Sequence, residues 1–251
     1  MSSKKKGLCI GINYIGTANQ LMGCSSDAIQ MRDYLKKNDF DVNVLCDDKT
    51  KGEFEIPTKE NIIKGLFTLV NLAKSDQCDT IVIHYSGHGG STYDISGDEK
   101  DRKDEFICTV DNKSILDDEL IFILSQLPCH VNCFCLFDAC HSGTILDLQY
   151  HIKNEKVFEE NRARDIRANI VAISGCRDDQ CSADAYIGGG KYAGAMSYAF
   201  FSNVNKTDNV NKICKLMNIT LNNAGYPQKP QVTMSKKILP NVEGYFGKLL
   251  I

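Results

Sequence analysis

Two short segments hold the side chains best suited to covalent chemistry. One is Ser86-Gly-His-Gly-Gly90 and the other is Asp138-Ala-Cys-His-Ser-Gly143. A thiol attacks as its thiolate, so a nucleophilic cysteine needs a lowered pKa or a base close by. Cys140 has the small neighbours Ala139, Ser142 and Gly143. Small residues let a substrate backbone come close, and N–H groups in such a turn can face a developing oxyanion. His88, between Gly87 and Gly89, is the matching base. Each signal is weak alone. A cysteine at a strand end is most often structural, and a histidine in a glycine turn is often only a turn residue. His141 is a rival base, but side chains of adjacent residues generally diverge. His84 lies inside an apolar run and reads as buried.

The elements that would position these residues follow from hydrophobic periodicity. Short apolar runs at 6–13, 42–46, 80–85, 131–137, 170–174 and 231–235 read as strands. Helical spacing covers 25–38, the stretch after the cap Thr58, 117–127, 192–203 and 210–223. Continuous apolar strands imply burial on both faces. Their alternation with helices predicts an α/β fold: a three-layer α/β/α sandwich with a mostly parallel central sheet. Ligand sites in such sheets lie beyond the carboxyl ends of the strands. Both reactive segments begin at such ends, so His88 and Cys140 face each other if their strands are neighbours. The polar stretches 91–105 and 150–167 read as mobile loops.

Composition bounds the remaining possibilities. The chain has 251 residues, 43% of them apolar, and a net charge of −3. It reads as one domain, with no linker visible and no basic excess that would point to nucleic acid. No apolar run approaches the ~18 residues of a membrane span, and no export signal is evident. The twelve cysteines are therefore expected as free thiols in a reducing cytoplasm. Cys133 and Cys135 are too close together for the usual gap between zinc ligands. Gly188-Gly-Gly-Lys191 lacks the earlier glycine of a phosphate loop and has Tyr192 where Ser or Thr is needed.

Taken together, the motifs resemble those of the metacaspases, in the caspase-like clan of cysteine peptidases. His84-Tyr-Ser-Gly-His-Gly89 and Asp138-Ala-Cys-His-Ser-Gly143 are similar to that family's two active-site motifs. Gly11-Ile-Asn-Tyr14, Leu21-Met-Gly-Cys-Ser-Ser-Asp27, the stretch 174–184 and Gly194-Ala-Met-Ser-Tyr-Ala-Phe200 resemble flanking segments in the same order. The resemblance implies a single caspase-like domain over 1–251. Residues 1–149 form a large-subunit-like part, 150–168 a connection, and 169–251 a small-subunit-like part. The short gap between Cys140 and Ser174 is similar to type I members, although no Pro-rich or zinc-finger prodomain precedes the first strand.

By this resemblance Cys140 is the nucleophile and His88 the general acid/base, and cleavage follows Arg or Lys. Asp27 and Asp138 supply an acidic pocket, lined also by Cys24 and Ser86. A buried guanidinium or ammonium does need a carboxylate partner. Read without the family, Asp138 is equally a turn cap and Asp27 a first-turn helix acid. The resemblance also implies a Ca²⁺ site at Asp104, Asp117, Asp118 and Asp147. Hard cations prefer several carboxylate oxygens, but Asp117 and Asp118 alone read as acids favoured by a helix dipole. The connecting stretch offers Lys153, Lys156, Arg162, Arg164 and Arg167 as self-cleavage points, or is simply a solvated linker. The resemblance further implies a monomer that acts on protein substrates. Two other readings stand beside this one: a catalytically silent calcium-responsive module and an Asp-specific caspase-type protease.

Overall fold

The computed structural model describes residues 4–93, 103–140, 145–146, 148–153, 156–159, 165–175, 184–188 and 191–237. In chain order the elements are β1 (Lys5–Gly11), α1 (Cys24–Lys37), β2 (Asp41–Cys46), α2 (Lys59–Lys74), β3 (Thr80–Ser86), β4 (Gly89–Tyr93), β5 (Lys103–Cys108), β6 (Ser114–Leu116), α3 (Asp117–Leu124) and β7 (Asn132–Asp138). After Cys140 come β8 (Tyr150–Lys153), β9 (Lys156–Glu159), β10 (Asn169–Ser174), β11 (Asp184–Gly188), β12 (Lys191–Gly194), α4 (Ala195–Phe201), α5 (Val210–Asn223) and β13 (Gln231–Met234).

Eight strands form the main sheet in the order β2-β1-β3-β7-β10-β13-β8-β9. The first five run parallel, whereas β13, β8 and β9 each pair antiparallel with their neighbours. Side-chain alternation along each strand builds a core on both faces. Leu8 and Ile10 of β1, with Ile81, Ile83 and Tyr85 of β3, meet Ile62 and Leu66 of α2 and Leu120 and Ile121 of α3. Cys9 and Val82, on the opposite face, meet Met31 and Leu35 of α1, Met196 and Phe200 of α4, and Ile213 and Met217 of α5. Helices on both faces of a mostly parallel sheet are the sandwich expected from the sequence. Thr58 caps α2 as expected, its Oγ1 accepting the Asn61 N–H at 3.3 Å.

Three expectations need correction. Residues 192–194 are not helical: Tyr192 pairs with Tyr186 in a hairpin, and the helix starts at Ala195. The polar stretch 91–105 ends in strands, with Gly89–Tyr93 against Lys103–Cys108 in a separate three-stranded sheet. The supposed loop at 150–167 instead opens with the hairpin β8–β9, which extends the main sheet. Tyr150, Ile152 and Val157 of that hairpin pack against the core, which compensates the ordering of an otherwise polar segment. His84 is fully buried, as read from its apolar run. The ten described cysteines carry no disulfide. Among the described residues, no helix is long and apolar enough to cross a membrane.

Candidate active site

The site lies beyond the carboxyl ends of β1, β3 and β7. Ser86 is paired with Asp138 across the parallel β3–β7 ladder. His88 and Cys140 each follow that pair by two residues, so they leave neighbouring strands at the same level. The two turns touch: a Cβ on Gly89 would overlap the Cys140 carbonyl and lie 3.0 Å from the Ala139 Cβ. Only glycine permits this approach. Both His88 and Cys140 are partly exposed, whereas Ala139 is buried.

The imidazole of His88 is oriented from one side. Its Nε2 lies 2.7 Å from the Asn19 carbonyl oxygen. A carbonyl only accepts, so Nε2 carries the proton in the neutral ring and Nδ1 is left as the basic nitrogen. This supplies the third group that orients a base beside a nucleophile. The imidazole also sits against the Tyr14 ring, with centroids 4.7 Å apart. The backbone of His88 is held separately: its N–H donates to the Tyr14 hydroxyl at 2.9 Å, and its carbonyl accepts from the Tyr85 hydroxyl at 2.7 Å.

Asp27 and Asp138 come together from distant parts of the sequence. Both are almost fully buried, at 1% and 2% exposure. Asp27 Oδ2 accepts from Ser86 Oγ and from the Gly194 N–H, each at 2.8 Å. Asp138 Oδ2 accepts the Ser197 N–H at 2.8 Å, in the first turn of α4. The carboxylates converge on Gly194, where an added Cβ would overlap Asp138 Oδ2 and come within 3.0 Å of Asp27 Oδ2. Two buried negative groups at one point favour a cation in the same place. Cys24, one turn before Asp27, is buried and begins α1. Beneath this pair, His84 Nε2 lies 3.2 Å from Ser197 Oγ. Burial pushes the His84 pKa down to about 3, so its ring is neutral at ordinary pH.

The second acidic group is built differently. Asp104 and Asp117 are buried, and Asp118 is partly exposed. Asp117 accepts the Asp118 N–H at 2.8 Å and the Glu105 N–H at 3.2 Å. Its pKa is nonetheless raised to about 6, chiefly by burial, with the charges of Asp118 and Asp104 adding to the rise. Among the described residues, no three His, Cys, Asp or Glu side chains form a group that could hold a metal ion. The three described members of the supposed calcium set therefore do not make a site alone. Asp147 and the rival base His141 lie outside the described residues, as do Arg162 and Arg164. Lys153 and Lys156 are exposed and paired across the β8–β9 hairpin, and Arg167 is exposed just before β10.

Sequence reasoning missed Asn19, Tyr14 and Tyr85 as parts of this site. Asn19 acts through its backbone carbonyl, which no residue type announces. Tyr14 has an αL backbone, with φ of 51°. That is uncommon for a non-glycine residue, but the sequence does not display it.

The fold is shared with known structures. A crystallised protein from Geobacter sulfurreducens superposes with a TM-score of 0.67, at 24% identity, covering 94% of this chain and 95% of that one. Caspase-1 from Spodoptera frugiperda superposes at 0.60 with 11% identity, covering 93% of this chain and 86% of that one. The architecture is thus the caspase fold. The chain belongs to the metacaspase family of C14 cysteine peptidases, whose metacaspase peptidase C14 domain matches residues 5–149. It is 36% identical to Metacaspase-1 of Debaryomyces hansenii over 93% of its own length. It spans 65% of that relative.

Proposed function

We propose that this chain is a calcium-activated cysteine endopeptidase that cleaves after Arg or Lys. The observation that carries the reading is the level pairing of Ser86 with Asp138, which brings His88 and Cys140 out of adjacent strands. Cys140 Sγ attacks the scissile carbonyl after giving its proton to His88 Nδ1. The Asn19 carbonyl holds the resulting imidazolium through Nε2–H. N–H groups near Cys140 and Gly89 receive the oxyanion. His88 then protonates the leaving amine, and water releases the acyl-enzyme. Such a positioned acid/base contributes about 10²–10⁴-fold.

Asp27 and Asp138 receive the basic side chain before the scissile bond, with Ser86 fixing Asp27 and Cys24 lining the same pocket. The convergence of two buried carboxylates supports a cationic rather than an acidic side chain here, which disfavours the Asp-specific reading. Calcium is the proposed switch, held by Asp104, Asp117, Asp118 and Asp147. Its support is the crowding of acids that raises Asp117. Self-processing is proposed within the connection, at Arg162, Arg164 or Arg167 ahead of Lys153 and Lys156, whose backbones are tied into a sheet.

One assay tests the whole reading. Peptides with Arg, Lys or Asp before the scissile bond are offered to wild type and to Cys140→Ala, with and without Ca²⁺. The expected result is calcium-dependent turnover of the Arg and Lys peptides by wild type alone. No turnover of any peptide would leave a catalytically silent module of the same fold.

A further inference from the structure

Two buried tyrosines meet directly under the catalytic-histidine turn. Tyr14 is 5% exposed and Tyr85 is fully buried. Tyr14 lies early in the connection between β1 and α1, and Tyr85 belongs to β3, yet their hydroxyl oxygens are 3.1 Å apart. Three backbone polar groups contact that pair. The His88 N–H lies 2.9 Å from Tyr14 Oη, and the His88 carbonyl lies 2.7 Å from Tyr85 Oη. The Cys108 carbonyl lies 3.0 Å from Tyr14 Oη and 2.8 Å from Tyr85 Oη. The Cys108 N–H donates to the His88 carbonyl at 2.9 Å.

Each hydroxyl has one proton, and one assignment serves every group. The His88 N–H donates to Tyr14, Tyr14 donates to the Cys108 carbonyl, and Tyr85 donates to the His88 carbonyl. Burial pushes both phenols well above their ordinary range, so both hydroxyls stay protonated wherever the enzyme is folded. They are therefore fixed donors and not proton-transfer groups. Burying two hydroxyls is costly unless both are satisfied. Here the satisfaction comes from the backbones of His88 and Cys108, and His88 is the residue whose imidazole must be aimed, with the Tyr14 ring against that imidazole as well.

Resting on the peptidase reading above, we propose that Tyr14 and Tyr85 are positioning residues that clamp both backbone polar groups of His88, and with them the direction of its imidazole. Tyr14 sets the N–H and the ring face, and Tyr85 sets the carbonyl. Neither touches substrate, so the clamp acts on the proton-transfer steps and not on substrate affinity.

The test uses Tyr14→Phe, Tyr85→Phe and the same changes made in a His88→Ala background. Phenylalanine keeps each ring and removes only the oxygen. Two readouts are taken: kcat and KM on an Arg peptide, and the pH dependence of Cys140 alkylation by iodoacetamide. The expected result for Tyr14→Phe is a fall of about tenfold or more in kcat with KM within about twofold, because misaimed groups lose rate rather than affinity. The alkylation profile moves toward that of His88→Ala. In the His88→Ala background neither tyrosine change has any further effect. A purely structural role would slow alkylation equally in both backgrounds, and that result, or an unchanged kcat in both single variants, overturns the proposal. If Tyr14→Phe does not fold, Tyr85→Phe gives the same comparison from the carbonyl side. Should no peptide be cleaved, the alkylation profiles still decide the clamp, because they need no substrate.

Discussion

Asp27 and Asp138 meet where an N–H from Gly194 and an N–H from Ser197 already point at their oxygens. Asp104, Asp117 and Asp118 crowd one another, and two N–H donors to Asp117 leave its pKa raised to about 6 by burial and by neighbouring charge. In the first group each buried carboxyl has a backbone N–H aimed at one of its oxygens. The other group is strained by its own charge. A preorganised anion site selects a fixed cation at low reorganisation cost, which suits a specificity pocket. A strained one changes state when a cation or proton arrives, which suits a switch.

The largest effect should come from breaking the preorganised group. Asp138→Asn keeps the size but removes the charge, and kcat/KM on Arg and Lys peptides is expected to fall by about 10²–10³-fold. Near-wild-type cleavage in a peptide assay would remove the pocket role and with it the distinction between the two groups. Gly194→Ala probes the same place by volume. Its methyl group meets both carboxylates, and a loss of about 1–3 kcal/mol in chemical denaturation is expected, together with weakened cleavage. An unaffected Gly194→Ala enzyme would mean that the carboxylates yield easily and are not preorganised.

The crowded group is tested by Asp117→Asn. A carboxyl whose folded pKa is raised adds stability below its unfolded value of 3.8 and loses it as pH rises through about 6. Without calcium, wild type should therefore lose stability across that window relative to Asp117→Asn, by at most ~2 kcal/mol after allowance for solvent. Urea unfolding at pH 4 and pH 7 measures the difference, and parallel pH curves would contradict it. With calcium, wild type should gain a few degrees in thermal midpoint, and Asp117→Asn should gain less. Equal gains would remove Asp117 from the cation scheme.

The two groups also differ in how legible they were. Asp27 and Asp138 stood in motifs, and strand periodicity put Asp138 at a carboxyl end, so only their convergence on Gly194 was hidden, because it arises from tertiary packing. The β3 and β7 strands were legible because both are buried on each face and read as unbroken apolar runs. Residues 150–159 were not, because the edge hairpin only half-buries Tyr150, Ile152 and Val157 against the core, a signal diluted by Lys153, Lys156 and Glu159. The strand at 191–194 was hidden by a tertiary override: Ala193 and Met196 fit a helical spacing, but pairing with β11 claims the first residues. Asn19 left no signal because a backbone carbonyl contributes the contact.

The strand order carries one more consequence. A cut anywhere from 160 to 168 leaves β1, β2, β3, β7, β8 and β9 of the main sheet on one fragment and β10 and β13 on the other. In space, β10 and β13 lie between β7 and β8, so the fragments are interlaced within one hydrogen-bonded layer. A nicked molecule would run as two bands on a denaturing gel and elute as one body from a sizing column. Processing would then act as a change of tether, freeing chain ends while the two pieces stay woven together.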